Sequence, residues 1–200
     1  MKILFFSNNP HKIVEVKKLL SSMKIDILTL DEIGRQIVVE ETGANYLENA
    51  LLKAKNASQL TGMPVLADDS GIEVDAIPDE LGVFSARFGG LGLSDEEKNT
   101  LLLKKLEGIP IEKRTARFVS LVVFYNLDGK YYSFKGYLEG IIAENSKGQH
   151  GFGYDPIFYL PNLKCTVAHL SQNDKNDISH RSIEFRKFKD WYLNVFTKES

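Results

Sequence analysis

The stretch from Met1 to Val16, MKILFFSNNPHKIVEV, holds an apolar run, a polar loop and an amphipathic start in immediate succession. Ile3 to Ser7 has the length and apolarity of a short buried strand. Asn9 suits a helix N-cap, and Pro10 suits the first helical position, where a missing N–H breaks no bond. Ile13, Val16, Leu19, Leu20 and Met23 then recur on one helical face. A strand that feeds a helix through a short loop opens an α/β fold.

The rest of the chain continues that grammar. A second helix is expected from about Asn45 to Leu60, with Leu47, Ala50, Leu51, Ala54 and Ala57 on its apolar face and Asn49, Lys53 and Asn56 opposite. Gly62 and Pro64 end it. Met63 to Ala67 reads as another short strand. After Gly71, Ile72, Val74 and Ala76 alternate with Glu73 and Asp75, the period of a strand. Ser94-Asp95-Glu96-Glu97 is a capping box that opens a helix to about Glu107, closed by Gly108. Thr115 to Tyr125 and Tyr131 to Ile142 are long β-rich runs joined by the turn signal Asp128-Gly129. A glycine-rich loop covers Gly148 to Gly153. A last helix starts near Ser179, with Phe188, Trp191, Tyr192 and Val195 as its core stripe. No repeat, low-complexity tract or linker interrupts residues 1–200. The order predicts one α/β domain in two lobes, a mixed β-sheet flanked by helices.

Bulk properties narrow the function classes. A net charge of −2 over 200 residues points to neither nucleic acid nor a membrane surface. One cysteine, Cys165, excludes a disulfide framework and a cysteine-rich zinc site. No apolar run reaches the length of a membrane span, and the N-terminal one is too short for a signal peptide. A cytoplasmic protein is expected.

Five constellations could carry chemistry. Ser7-Asn8-Asn9-Pro10-His11-Lys12 sits between a strand and a helix N-terminus, where backbone N–H groups, the helix dipole and Lys12 suit phosphate; a plain capping loop has the same composition. It is not a P-loop, because G-x-x-x-x-G-K-[ST] is absent. Glu40-Glu41-Thr42-Gly43 precedes the second helix, as metal ligands or as charges favoured by the helix N-terminus. Asp68-Asp69-Ser70-Gly71 places adjacent carboxylates at a strand end, either as Mg²⁺ ligands or acid–base groups, or as a solvated turn with Gly71 at positive φ. Glu73 and Asp75 are further ligands or solvent-facing strand residues. Gly151-Phe152-Gly153-Tyr154-Asp155-Pro156 can stack a base and read its edge, or form a packed turn. Lys175, Ser179, His180 and Arg181 gather positive charge near a helix start, where the dipole disfavours it, and so require an anionic or hydrogen-bonding partner. His150 and His169 are isolated and read as structural. H-E-x-x-H and G-x-S-x-G are both missing, so zinc hydrolases and serine esterases lack support.

In this order, and over nearly the whole chain, the segments resemble the inosine triphosphate pyrophosphatase family, the dITP/XTP pyrophosphatases. The resemblance rests on Asn9-x-x-Lys12-x-x-Glu15, Glu40-x-x-Gly43, Glu48-Asn49-Ala50-x-x-Lys53-Ala54, Ala67-Asp68-Asp69-Ser70-Gly71, Ser85-Ala86-Arg87, Phe152-Gly153-Tyr154-Asp155-Pro156 and Lys175-x(3)-Ile178-Ser179-His180-Arg181. It implies a two-lobed α/β fold with a substrate cleft between the lobes, a homodimer, and Mg²⁺-dependent hydrolysis of ITP, dITP and XTP to the monophosphate and pyrophosphate. It also implies roles. Asp69 is the catalytic proton acceptor, and Glu40 and Asp69 bind the metal. Ser7 to Lys12 and Lys53 hold phosphates. Ser70, Phe152, Gly153, Tyr154, Asp155, Lys175, His180 and Arg181 contact the nucleotide. Two departures from the family pattern stand out: Pro78-Asp79-Glu80-Leu81-Gly82 replaces a Gly-x-Pro-Gly stretch, and Val167 and His169 replace Phe and Glu. A Maf-type pyrophosphatase with other base preferences and a non-catalytic nucleotide sensor are the competing readings.

Overall fold

The computed structural model describes residues 1–196. Strand β1 (Lys2–Phe6) is followed by helix α1 (Pro10–Leu20), capped as expected by Asn9, whose side chain accepts from the His11 and Lys12 amides. The chain then runs through β2 (Asp26–Leu28), α2 (Tyr46–Thr61), β3 (Val65–Val74), α3 (Asp95–Lys105), β4 (Thr115–Tyr125), β5 (Tyr131–Ile142), β6 (Phe158–Leu160), β7 (Cys165–Thr166), α4 (Gln172–Ile178) and α5 (His180–Trp191). The seven strands form one sheet in the order β2-β1-β3-β4-β5-β6-β7. β1 is parallel to β2 and β3, whereas β6 is antiparallel to β5 and β7, so the sheet is mixed.

The chain divides into two compact units. The first comprises Met1–Asp69, Ser120–Gly136 and the chain from Arg181. Its core joins Ile3 and Phe5 of β1, Val16 and Leu20 of α1, Leu66 of β3, Val122 and Phe124 of β4, and Phe185, Phe188 and Tyr192. The second comprises Ser70–Val119 and Tyr137–His180. Its core includes Ile72, Val74, Leu102, Leu106, Phe118, Ile157 and Phe158.

Several elements match the sequence reading closely. Ser94 and Glu97 form a reciprocal capping box, Gly62 ends α2 in the left-handed conformation, and β4 and β5 span the two β-rich runs. Three expectations need correction. First, α2 is buried beyond its apolar face: Asn49 and Lys53, opposite that face, are buried as well as Ala50, Ala54 and Ala57. Second, Asp68 to Gly71 is no turn but the middle of the continuous strand β3, and Gly71 has no positive φ. A Cβ at Gly71 would collide with the Gly82 carbonyl and approach the Ser85 Oγ to 2.7 Å, so close approach, not turn geometry, demands glycine there. Third, Val195 is 39% exposed, and Phe185 takes its place in the core stripe of the last helix.

Candidate active site

Successive strand residues point to opposite faces, and β3 uses this to separate its two aspartates. Asp68 shares a face with Leu66, toward α1 and α5. Its Oδ2 accepts from the Lys12 Nζ at 2.8 Å and lies 3.7 Å from the Arg181 Nη2. Asp69 turns to α2, where its Oδ2 accepts from the Asn49 Nδ2 at 3.1 Å and its Oδ1 lies 3.6 Å from the Lys53 Nζ. Asn49 is fixed in turn: its Oδ1 accepts from the Gly43 amide at 2.8 Å. Lys53 also donates to Glu41 at 2.6 Å.

These surroundings push the two carboxyls apart. Burial alone would raise the pKa of Asp68, but the charges of Lys12, Arg181 and Lys53 overcome it and hold the group at about 2. Asp69 moves the other way. Burial raises it and the charge of Glu41 adds to the rise, while Lys53 and the Asn49 hydrogen bond only partly offset them. A carboxylate pinned near 2 is a poor proton acceptor, and one raised by burial is a better one. Of the adjacent pair, Asp69 is therefore suited to act as a base and Asp68 to remain a fixed charge.

The loop before α1 offers less backbone than its sequence implied. The Asn9 side chain occupies the His11 and Lys12 amides at 2.9 and 3.3 Å, and the Ser7 hydroxyl accepts from the Asn9 amide at 3.2 Å. Asn8, Pro10 and His11 are exposed. What the loop presents to an anion is the Lys12 ammonium and the N-terminal end of α1.

Arg181 finds the anionic partners its position at a helix start requires. Its Nη1 donates to Glu15 of α1 at 2.6 Å, and the pair is almost completely buried. Glu184, one turn along α5, is also fully buried, with its pKa raised well above 4.5 by burial and by the charge of Asp68, against the pull of Arg181.

A second set forms within the other unit. The Lys175 Nζ donates to the Asp155 Oδ2 at 2.7 Å and sits 4.4 Å above the Phe152 ring. The same carboxylate oxygen accepts from the Phe152 amide at 2.9 Å. Gly151, at φ 80°, leaves room for that carboxylate, which a Cβ would strike. Gly153 is held at both ends, its amide by Asp95 at 2.7 Å and its carbonyl by Asn99 at 3.0 Å. The Tyr154 hydroxyl donates to the Ser85 carbonyl at 2.8 Å, and burial raises its pKa. The His180 ring stacks on Phe118 at 4.9 Å. Lys175 lies in α4, a short helix of its own that ends just before α5.

The departing Pro78–Gly82 segment still delivers Gly82, at φ 67°, whose carbonyl accepts from the Ser85 hydroxyl at 2.6 Å. His169 is structural, its Nδ1 lying 2.8 Å from the Thr166 hydroxyl. Glu73 and Asp75 pair with Arg117 on a solvated strand face.

Glu40 is exposed, and it is the neighbouring Glu41 whose charge acts on Asp69 and whose carboxylate grips Lys53. Among the described residues no group of three or more His, Cys, Asp or Glu could hold a metal ion. On the Asp69 face two carboxylates (Glu41, Asp69) nevertheless meet one cation (Lys53), whereas on the Asp68 face Glu15 and Asp68 are balanced by Lys12 and Arg181. Hard oxygen donors with unbalanced charge fit Mg²⁺, which is commonly held by one or two carboxylates, with water and phosphate completing its shell. Sequence reasoning offered Glu41 only as part of the Glu40–Gly43 segment and gave no role to Asn49 or Glu184. Glu41 and Asn49 lie inside quoted motifs; Glu184 looks like any surface glutamate of a helix.

The sequence profile of the Ham1 family matches residues 3–191. A dITP/XTP pyrophosphatase of Dictyoglomus thermophilum is 44% identical over 199 residues, covering 98% of this chain and 96% of that one. One from Thermus thermophilus is 42% identical over 192 residues, covering 96% and 92%. Among solved structures, the Ham1 protein of Staphylococcus aureus matches with a TM-score of 0.87 at 38% identity, covering 96% of this chain and 98% of that one. A HAM1 protein from Coxiella burnetii matches with a TM-score of 0.89 at 35% identity, covering 98% and 100%. The family resemblance and the mixed α/β fold read from the sequence are thereby borne out: the chain belongs to the Ham1 family.

Proposed function

We propose that the protein hydrolyses deaminated purine nucleoside triphosphates, namely ITP, dITP and XTP, to the monophosphate and pyrophosphate. One observation carries the reading: a buried aspartate of raised pKa, Asp69, stands against Asn49 and Lys53 of another element, α2. Relatives about as long as this chain and named dITP/XTP pyrophosphatases support it.

A triphosphate brings roughly four negative charges, which carboxylates repel unless cations intervene. Lys12 and Lys53 supply two, and they stabilise charge on the departing pyrophosphate. Water attacks the α-phosphorus, the bond to the pyrophosphate oxygen breaks, and Asp69 accepts the water's proton. Asn49 and Lys53 hold Asp69 in register for that transfer. Asp69 with the Glu40-Glu41 pair would hold Mg²⁺, which when bound draws charge from the phosphoryl oxygens and acidifies water. No helix among the described residues is long and apolar enough to cross a membrane. A cytoplasmic homodimer acting on the free nucleotide pool completes the reading.

Phe152, Asp155 and Lys175 supply an aromatic face, an acceptor and a donor for the base. A 6-oxo purine offers an acceptor beside an N1–H donor, whereas adenine offers the reverse, so adenine leaves a buried donor unpaired. The test is pyrophosphate release from ITP, XTP, GTP, ATP and TTP, with and without Mg²⁺. ITP and XTP should be turned over with far higher kcat/KM than ATP, and chelation should stop the reaction. Comparable kcat/KM for ATP would refute the base assignment, and nucleotide binding without release would favour a sensor.

A further inference from the structure

We propose that Asp68 is a positioning residue: through a buried chain, Glu15–Arg181–Asp68, it aims the Lys12 ammonium at the phosphates. This rests on the preceding reading only in assigning Lys12 to phosphate.

The chain is continuous in space. The Arg181 Nη1 meets Glu15 at 2.6 Å, its Nη2 lies 3.7 Å from the Asp68 Oδ2, and that same oxygen accepts from Lys12 at 2.8 Å. Glu15, Asp68 and Arg181 are 4%, 2% and 2% exposed. Lys12 is the one member that reaches the surface, its side chain 16% exposed. Lys12 and Glu15 lie three residues apart on α1, hence on one face. The chain thus leaves α1, crosses the first turn of α5 and β3, and returns to α1.

Burying three charged groups is a poor way to gain stability, since well-packed apolar side chains often do as well. What it supplies is direction. A lysine stem has four rotatable bonds, and an unheld ammonium would lose that freedom when phosphate binds. Here the loss is taken on folding. Asp68 does this without doing chemistry, because it faces away from Asp69 across the strand.

Calorimetry with inorganic pyrophosphate and Mg²⁺ tests the assignment on the full chain, alongside kcat and KM for ITP. Asp68→Asn should weaken pyrophosphate binding about tenfold and raise KM, as a small displacement of a binding group does. Lys12→Met should weaken it at least as much, and the double variant should be no worse than Lys12→Met, since Asp68 acts through Lys12. A purely structural role would reduce the folded fraction and kcat while leaving Kd and KM unchanged. Unchanged or tighter binding in Asp68→Asn, or losses that multiply in the double variant, would overturn the proposal. Glu15→Gln tests the far end should Asp68→Asn fail to fold: it should weaken binding about threefold, and unaltered affinity there also overturns the chain. If the wild type binds pyrophosphate but releases none from ITP, the proposed function fails while the Asp68 assignment is still decided by binding.

Discussion

Asp68 and Asp69 are neighbours in β3 yet answer to different helices, the first bonded to Lys12 of α1 and the second to Asn49 of α2. Opposite pKa shifts suit Asp68 to stay a fixed charge and Asp69 to accept a proton.

Asn49→Ala removes the one side-chain amide on Asp69 and leaves the Gly43 amide without its acceptor. Turnover of ITP should fall by about one to two orders of magnitude, as expected for a displaced catalytic group. Stability should fall by about 1–3 kcal/mol for the unsatisfied polar groups. Steady-state kinetics and urea unfolding measure the two effects, and wild-type kcat/KM in this variant would remove Asn49 from the machinery.

Glu41 and Glu40 separate by environment. Glu41→Gln breaks contact with Lys53 and alters the field at Asp69, whereas Glu40 is exposed. Glu41→Gln should change the Mg²⁺ concentration needed for half-maximal activity more than Glu40→Gln does. The reverse ranking in a metal titration would restore Glu40 as the principal ligand.

Gly71→Ala should destabilise the fold by about 1–3 kcal/mol, the usual effect of overpacking, because the new methyl meets the Gly82 carbonyl and the Ser85 hydroxyl. Thermal unfolding checks it. A neutral result would mean that the Gly82–Ser85 turn can yield.

The pH dependence of stability should carry the signature of Glu184. Burial and the charge of Asp68 hold its folded pKa well above the ordinary 4.5, so between the two values the folded state keeps a proton that the unfolded state has released. Stability from this group is complete below the ordinary carboxyl range and is lost as pH rises through the folded value, by about 1.4 kcal/mol per unit. Asp68 acts in the opposite sense at the acid end: its contribution is present above its ordinary 3.8 and is lost as pH falls toward about 2. Glu184→Gln, which cannot ionise, should flatten the loss above pH 5 and leave the acid limb in place. Urea unfolding at pH 5 and pH 8 reads this directly; an unchanged difference between the two would contradict it.

The sequence was most legible where local chemistry fixes the backbone. Asn9 before Pro10, Ser94 before Glu97 and Gly62 after α2 each satisfy helix-end groups without help from the rest of the fold. β2, β6 and β7 are three, three and two residues long, too short to establish a period. α4 is polar almost throughout and shows no apolar stripe, though Ser171 caps it through the Asp174 amide. The site residues were found as types but not as partners. Periodicity sets Asn49 and Lys53 opposite the apolar stripe of α2, and both are buried all the same, because that face meets Asp69 of β3 and Glu41. Gly71 was read by the commonest reason for glycine, positive φ, when the determining contact came from a loop eleven residues later. Asp68 and Arg181 could not be paired from sequence, since 113 positions separate them (181 − 68).

The central claim is that Asp69 is the base of a pyrophosphatase. Pyrophosphate release from ITP in the presence of Mg²⁺, measured side by side for the wild type and Asp69→Asn, tests it most directly. The wild type should release pyrophosphate and inosine monophosphate in equal amounts, and Asp69→Asn should be inactive while unfolding cooperatively near the wild-type temperature. Near-normal release by a folded Asp69→Asn would contradict the account.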